Sequence, residues 1–371
     1  MKLSIERAAL LRSLNHVQSV VEKRNTIPIL ANVLIKAEDG VLTMATTDMD
    51  LEINESVAAQ VSEPGATTAP AHTLHDIIRK LPDGSDVQLS LNAEGTLMTV
   101  SAGRSNFKLS CLPTADFPEI GGGDLPTGFG IPAADLRALI DRTKFAMSTE
   151  ETRYYLNGIY LHQAENDGVQ VLRAVATDGH RLARFEMPLP NGAAGMPGVI
   201  IPRKAVGELR KLVDEAADTI EINLSESKIR FAFDHVVLSS KLIDGTFPDY
   251  QKVIPQGNDK IVEVDPKMFT SAIDRVSTIS DGKSRAVKVT LQGKNMTISA
   301  SSPDAGSATE EVEVSGDTDI EIGFNAKYLL DITSQIEGEG CRLTLADPAS
   351  PTIIQDNSDA SALYVIMPLR V

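Results

Sequence analysis

KLSIERAALLRSLNHVQSVV (2–21), GFGIPAADLRALIDRTKFAM (128–147) and KIVEVDPKMFTSAIDRVSTIS (260–280) open alike. Each begins with a short alternating stretch, which suits a strand. Each continues with apolar residues three and four apart, which suits an amphipathic helix. In the first, Leu10, Leu14, Val17 and Val21 form the apolar stripe, while Arg12 and Lys23 fall on the far side. The three openings recur about every 130 residues, a domain-sized period.

Each opening leads into runs that read as strands, separated by turn residues such as Asp39-Gly40, Asp167-Gly168 and Gly293-Lys294-Asn295. A second half-unit follows in each third: ATTAPAHTLHDIIRKL (66–81), GVIIPRKAVGELRKLV (198–213) and IEIGFNAKYLLDITSQI (320–336). These are again a strand, a Pro or Asn start, and a helix. In the second of them Val206, Leu209 and Val213 face inward, with Lys204 and Lys211 pointing away. CLPTADFPEI (111–120) and KLIDGTFPDY (241–250) close two of the halves with one phrase, and LYVIMPLRV closes the last. The pattern predicts an α+β chain of six helix-plus-strands units, paired into three similar domains at 1–121, 128–254 and 259–371. Gly121-Gly122-Gly123 and Ile254-Pro255-Gln256-Gly257-Asn258 read as the linkers.

The chain has 371 residues, of which 42% are hydrophobic, so it folds rather than remaining disordered. No run of eighteen apolar residues spans a bilayer, and Glu6, Arg7 and Arg12 break any signal-peptide core. Cys111 and Cys341 form no metal pair and no disulfide framework, which points to a reducing, cytoplasmic setting. The net charge of −16 argues against wrapping nucleic acid by bulk charge. The charge is unevenly spread, however. The helical segments 6–24, 71–81, 132–147, 202–217, 266–285 and 325–337 hold 18 basic and 12 acidic residues, a surplus of six that leaves −22 elsewhere. Solvated charged faces are the ordinary reading of any one helix. If the units close around an axis with helices inside, the lumen is positive and the outer wall negative.

Catalytic signatures are incomplete. Gly282-Lys283-Ser284 lacks the preceding glycine of a phosphate loop, since position 277 is Ser. Asp178, His180 and Arg181 are acid–base types without a nucleophile or metal partner. His16, His72, His75, His162, His180 and His235 form no ligand cluster, and Asp48-Met49-Asp50 lacks the rest of a calcium loop. Thr177-Asp178-Gly179-His180 reads as a tight turn with Gly179 at positive φ. The mixed set Leu156, His180, Arg181 and Leu182 suits a groove edge with an apolar floor.

RYYLNG (153–158), ATDGHRLA (176–183), IPRKAV (201–206), SKLIDGTFPDY (240–250), IGFNAKYLLDI (322–332) and YVIMPLRV (364–371) resemble, in order and over the whole chain, the bacterial sliding clamp, the beta subunit of the replicative DNA polymerase. The resemblance implies a non-catalytic processivity factor with no cofactor and no metal. It implies a head-to-tail homodimeric ring with helices lining the hole and antiparallel sheets outside. The implied partners are encircled duplex DNA, a second copy of the chain, the polymerase catalytic subunit, the clamp loader, and other polymerases and repair factors carrying a linear motif; a membrane is not among them. Contacts made only to phosphates carry no base readout, so the ring would slide without sequence preference.

By the same resemblance Arg24, Tyr154 and Tyr155 contact DNA, although Tyr155 suits a core position equally well. Leu156, Thr177, Gly179, His180, Arg181, Leu182, Pro248, Val253, Val365, Met367, Pro368, Leu369 and Arg370 line the groove between the second and third domains that takes a partner's motif. Phe107 and Ile279 match apolar positions of the dimer joint. Departures from the family pattern stand at Glu150, His72, Lys252, Leu369, Pro351 and Thr278. Two other readings remain: a protein–protein scaffold that never encircles DNA, and a hydrolase using Asp178 and His180.

Overall fold

The computed structural model describes residues 1–118, 120, 122–280 and 285–370. Gly282-Lys283-Ser284, together with Gly121 and Val371, lies outside the described residues. Among the described residues there are six α-helices, and each follows a strand with at most one residue between. They are α1 (Arg7–Val17), α2 (Ala71–Lys80), α3 (Ala133–Asp141), α4 (Arg203–Val213), α5 (Pro266–Ser277) and α6 (Ala326–Thr333). None is long and apolar enough to cross a membrane.

The starts follow from local chemistry. Asp265 accepts the amides of Lys267 and Met268 ahead of α5, and Asn325 accepts those of Lys327 and Tyr328 ahead of α6. Such caps satisfy amides that the first turn leaves without partners, for about 1 kcal/mol each. Leu10, Leu14 and Val17 of α1, and Val206, Leu209 and Val213 of α4, are buried as the periodicity predicts. Asp39-Gly40 and Asp167-Gly168 both take positive φ at two positions, giving the tight hairpins read from sequence.

The chain divides into two compact units. The first comprises 1–137, 190–197 and 204–242. It holds a five-stranded sheet and an eight-stranded sheet. In the eight-stranded sheet, Leu51–Ala58 of the first third pairs antiparallel with Val236–Lys241 of the middle third. The second unit comprises 138–189, 198–203 and 243–371. Its twelve-stranded sheet repeats that join one third later: Arg181–Pro188 pairs antiparallel with Asp359–Ile366, with Leu182 opposite Val365. Sheets therefore run on from one third of the sequence into the next.

Ile254, read as linker, is instead buried in an apolar cluster of the second unit. The following segment is tied down as well, because Asn258 donates to the carbonyls of Thr344 and Pro351 at 2.8 and 2.9 Å. A chain exit that carries two such bonds is a fixed strut rather than a free tether.

Candidate functional site

The turn at Thr177–His180 is built from its own side chains. Asp178 Oδ1 accepts the amides of His180 and Arg181 at 2.9 and 3.0 Å. Thr177 Oγ1 accepts the Gly179 amide and donates to the Arg181 carbonyl at 2.7 Å. Gly179 takes φ +88°, and a Cβ there would stand 2.6 Å from Arg153 Nη1. Glycine is needed both for the backbone and for the arginine lying over it.

Arg181 is buried, with each of its three nitrogens donating one hydrogen bond. It donates to Asp178 Oδ2 at 3.2 Å, Asp331 Oδ2 at 2.5 Å and the Phe145 carbonyl at 2.6 Å. Its guanidinium carbon lies 5.2 Å from the Phe145 ring centre and 4.4 Å from that of Tyr328. Cation–π contacts of this kind add to the ion pairs and fix the arginine in place. The exposed His180 ring stacks on Tyr328 at 6.3 Å. Around them lies a cavity of about 400 Å³ walled also by Glu150, Arg203 and Lys327. Asp178 is thus engaged by Arg181 and two amides, which removes it as a free base for His180. Among the described residues no His, Cys, Asp or Glu cluster could hold a metal.

Beside this polar corner the apolar residues converge. Leu156, Leu182 and Val365 are buried in one cluster with Val175, Ile200, Phe247, Tyr250, Ile254 and Leu363. Val253 and Met367 project from the same segments but remain 46% and 37% exposed. Pro248 and Arg370 are exposed, and Pro368 and Leu369 are half-buried. The C-terminal strand is tacked on both sides: Met367 donates its amide to the His180 carbonyl at 2.9 Å, and Leu369 donates to Gly323 at 2.8 Å. A dry floor, an apolar rim and a few oriented polar groups are what a short linear peptide with apolar anchors requires. Sequence reasoning missed Phe247, Tyr250, Tyr328 and Asp331 as site residues, although each sits inside a quoted motif.

The remaining residues fall on their own elements. Arg24 is exposed on the first unit. On the second, Tyr154 is 53% exposed and Tyr155 is partly buried against the apolar cluster, their rings edge-on at 5.8 Å. Phe107 is 37% exposed on Ser105–Ser110, the edge strand of the five-stranded sheet. Ile279 follows α5 and is half-buried. Of the departures, Glu150 pairs with Arg153 at 2.7 Å, and that arginine holds its carboxyl below the usual range. His72 bonds Gln18 and the Val21 carbonyl, and Lys252 pairs with Asp249.

The basic helix residues are less free than their count suggests. Lys204 points away from the core as expected, but its ammonium donates to Asp48 and Glu22 at 2.6 and 2.5 Å. Arg12 pairs with Glu215, Arg210 with Asp214, and Arg275 with Glu310. Of these partners Glu22, Asp214 and Glu215 already count within the helical segments, so only Asp48 and Glu310, from outside them, reduce the surplus of six.

Three family models describe the DNA polymerase III beta subunit. Its N-terminal domain matches residues 1–121, its central domain 130–249 and its C-terminal domain 251–370. The beta sliding clamp of Caulobacter vibrioides is 52% identical over 372 residues, and that of Escherichia coli K12 is 38% identical over 373, with both chains covered completely in each case. A crystal structure of the Caulobacter crescentus beta sliding clamp superposes with a TM-score of 0.97 at 52% identity over the whole of both chains. The Bartonella birtlesii sliding clamp, crystallised with griselimycin bound, does so with a TM-score of 0.97 at 50% identity, again over the whole of both chains. With matches spanning nearly its whole length, the chain belongs to the DNA polymerase III beta subunit family, the beta sliding clamps, which are non-catalytic processivity factors of replication.

Proposed function

We propose that two copies of this chain, each organised as clamp domains 1–121, 128–254 and 259–371, join head to tail into a ring around duplex DNA. Ring closure joins Phe107 on one copy to the neighbourhood of Ile279 on the other. Two open edges support the joint. Ser105–Ser110 ends its sheet, and Gly306–Ser315 is paired on its outer side only at Val314 and Ser315. Arg104 precedes the first edge strand and Lys108 lies on it, and Glu310, itself paired with Arg275, and Glu311 lie on the second, so strand pairing would bring opposite charges together and hide two sticky edges. Arg24, Tyr154 and Tyr155 touch the duplex. Affinity for DNA is low because holding is topological, and phosphate contacts alone let the ring slide.

The groove of Leu156, Thr177, Gly179, His180, Arg181, Leu182, Pro248, Val253, Val365, Met367, Pro368, Leu369 and Arg370 takes the linear motifs of the polymerase catalytic subunit, the clamp loader, and other polymerases and repair factors. The work is done in the cytoplasm, on the nucleoid during replication. The observation that carries the groove is the buried Leu156–Leu182–Val365 floor beneath the exposed Val253 and Met367. Arg181 serves from behind, by holding the turn, since each of its nitrogens already donates within the protein. Deleting 367–371 tests this: motif binding is lost while the dimer persists. Retained binding would remove the groove from the account.

A further inference from the structure

Behind the groove lies a buried ionic group that the groove itself does not need for contact. Arg173 and Glu186 are each about 95% buried and pair at 2.7 Å through the arginine ε nitrogen. Burying such a pair is costly unless every remaining donor and acceptor is satisfied. Here Glu186 also accepts from Asn166 Nδ2 at 2.8 Å and lies in an ion pair with Arg184 at 3.4 Å, while Arg173 Nη1 donates to Tyr250 Oη at 2.9 Å. The chain of donors then continues in one direction. His162 Nδ1 lies 2.8 Å from the Gln163 carbonyl, which only accepts, so Nδ1 carries the proton. Burial, together with the neighbouring Arg173 charge, lowers the histidine pKa against the backbone bond and the Glu186 charge, and so favours the neutral ring. Its Nε2 is therefore an acceptor, and Tyr250 O–H donates to it at 3.1 Å.

Tyr250 belongs to the strap that forms one groove wall. Its ring is in the apolar cluster with Leu156, Leu182 and Val365, and it begins the short helical turn Tyr250–Val253. Three residues earlier, Phe247 stacks on Tyr160 at 4.8 Å, and Tyr160 stacks on His162 at 4.5 Å. The strap is gripped at both ends by the same assembly, with Pro248 between the grips and Val253 just beyond.

We infer that Arg173, His162 and Tyr250 are positioning residues for partner binding: the ion-paired arginine and the neutral histidine fix the Tyr250 hydroxyl, and so preset Pro248 and Val253 for an apolar anchor. Preorganising a wall removes an ordering cost that a ligand would otherwise bear. The inference rests on the groove reading above.

The test uses the full-length protein and griselimycin, the molecule bound in the Bartonella relative. Tyr250→Phe keeps the ring in the cluster and deletes only the hydroxyl; urea unfolding confirms that the variant is folded. Griselimycin affinity is measured for wild type, Tyr250→Phe, Val253→Ala, Met367→Ala and the Tyr250→Phe/Val253→Ala double variant. Tyr250→Phe is expected to weaken binding about tenfold, in line with a lost hydrogen bond to a charged group. In the Val253→Ala background the same change should weaken binding no more than about twofold, because the wall it positions is already gone. Wild-type affinity in Tyr250→Phe, or losses that multiply fully in the double variant, would overturn the inference while leaving the groove intact. If Val253→Ala and Met367→Ala both bind as wild type does, the groove reading fails and the inference fails with it.

Discussion

The backbone amide of Met367 donates to the carbonyl of His180 at 2.9 Å, closing the C-terminal strand onto the Thr177–His180 turn. The first unit contains the same construction. Lys241 donates its amide to the Asp50 carbonyl at 2.8 Å, Thr47 Oγ1 donates to Leu51 O, and Asp48 Oδ1 accepts the amides of Asp50 and Leu51. The backbones repeat but the side chains do not. Where Leu182 faces Val365, the first unit has Glu52 facing Ser239. Where Gly179 stands, it has Met49, and the Asp48 and Asp50 carboxylates are taken by Lys204 and Lys241. One repeat built an apolar floor; the other built a hydrogen-bonded, ion-paired surface.

With the proposed groove as the binding site, that contrast predicts one site per chain. Calorimetric titration with griselimycin is expected to give one site per chain. Met367→Ala should weaken it about tenfold, the worth of removing a half-exposed apolar anchor, with no change in unfolding midpoint. Two equivalent sites per chain would contradict the contrast between the repeats.

Gly179→Ala is expected to cost roughly 1 kcal/mol of stability, the usual price of a side chain at positive φ. It also pushes Arg153 aside, because the new Cβ would meet its Nη1 at 2.6 Å. Urea denaturation measures the first effect. A crystal structure of the variant should show Arg153 displaced from the turn and its pair with Glu150 rearranged.

Phe107→Asp places a charge on an open strand edge that the proposed ring joint would cover. Truncation or charge at such a central apolar residue typically costs 2 kcal/mol or more, about thirtyfold in the dimer constant. Sedimentation at micromolar concentration should show monomer in place of dimer, with unchanged circular dichroism because Phe107 is only partly buried in the chain alone.

His16 gives the first unit a pH dependence. Burial opposes its charge, but hydrogen bonds to Glu55 at 2.7 Å and Glu215 at 2.9 Å outweigh that and raise its pKa. Ser13 holds the other Glu55 oxygen, Arg12 shares Glu215, and Asp234 and His235 line the same cavity. A histidine that binds its proton more tightly when folded stabilises the fold fully below its unfolded value near 6.5 and loses that contribution as pH rises through the raised value. Glu215, held low by the His16 bond and by Arg12 against burial, slopes the other way and only in the acid range. His75 and His162, whose pKa values burial lowers, slope the other way up to about 6.5, so the His16 contribution is read as the difference between wild type and His16→Gln. That difference in urea midpoint should fall from pH 6 to pH 8.5, and a difference that rises with pH would contradict the assignment.

The helices, their starts and the Asp-Gly hairpins were legible because each depends on residues within a few positions of one another. The Thr177–His180 turn was legible for the same reason: Asp178, Gly179 and His180 build it locally. What sequence did not disclose depends on distant partners. Asp48 neutralises Lys204 from 156 positions away, and Tyr250 meets Arg173 from 77 positions away. Neither is marked by spacing, and so the helix charge count overstated the free positive charge and the buried strut went unseen. Ile254 misled because Pro255 and Gly257 beside it carry linker composition, while its own side chain packs into the floor.

On the proposed reading this protein holds DNA by enclosing it. With the ring assembled by a clamp loader and ATP onto nicked circular duplex, the protein should stay with the DNA through gel filtration at high salt. Linearising the circle with a single restriction cut should then release it. Equal retention on circle and linear duplex would contradict encirclement and make the protein an ordinary DNA-surface binder.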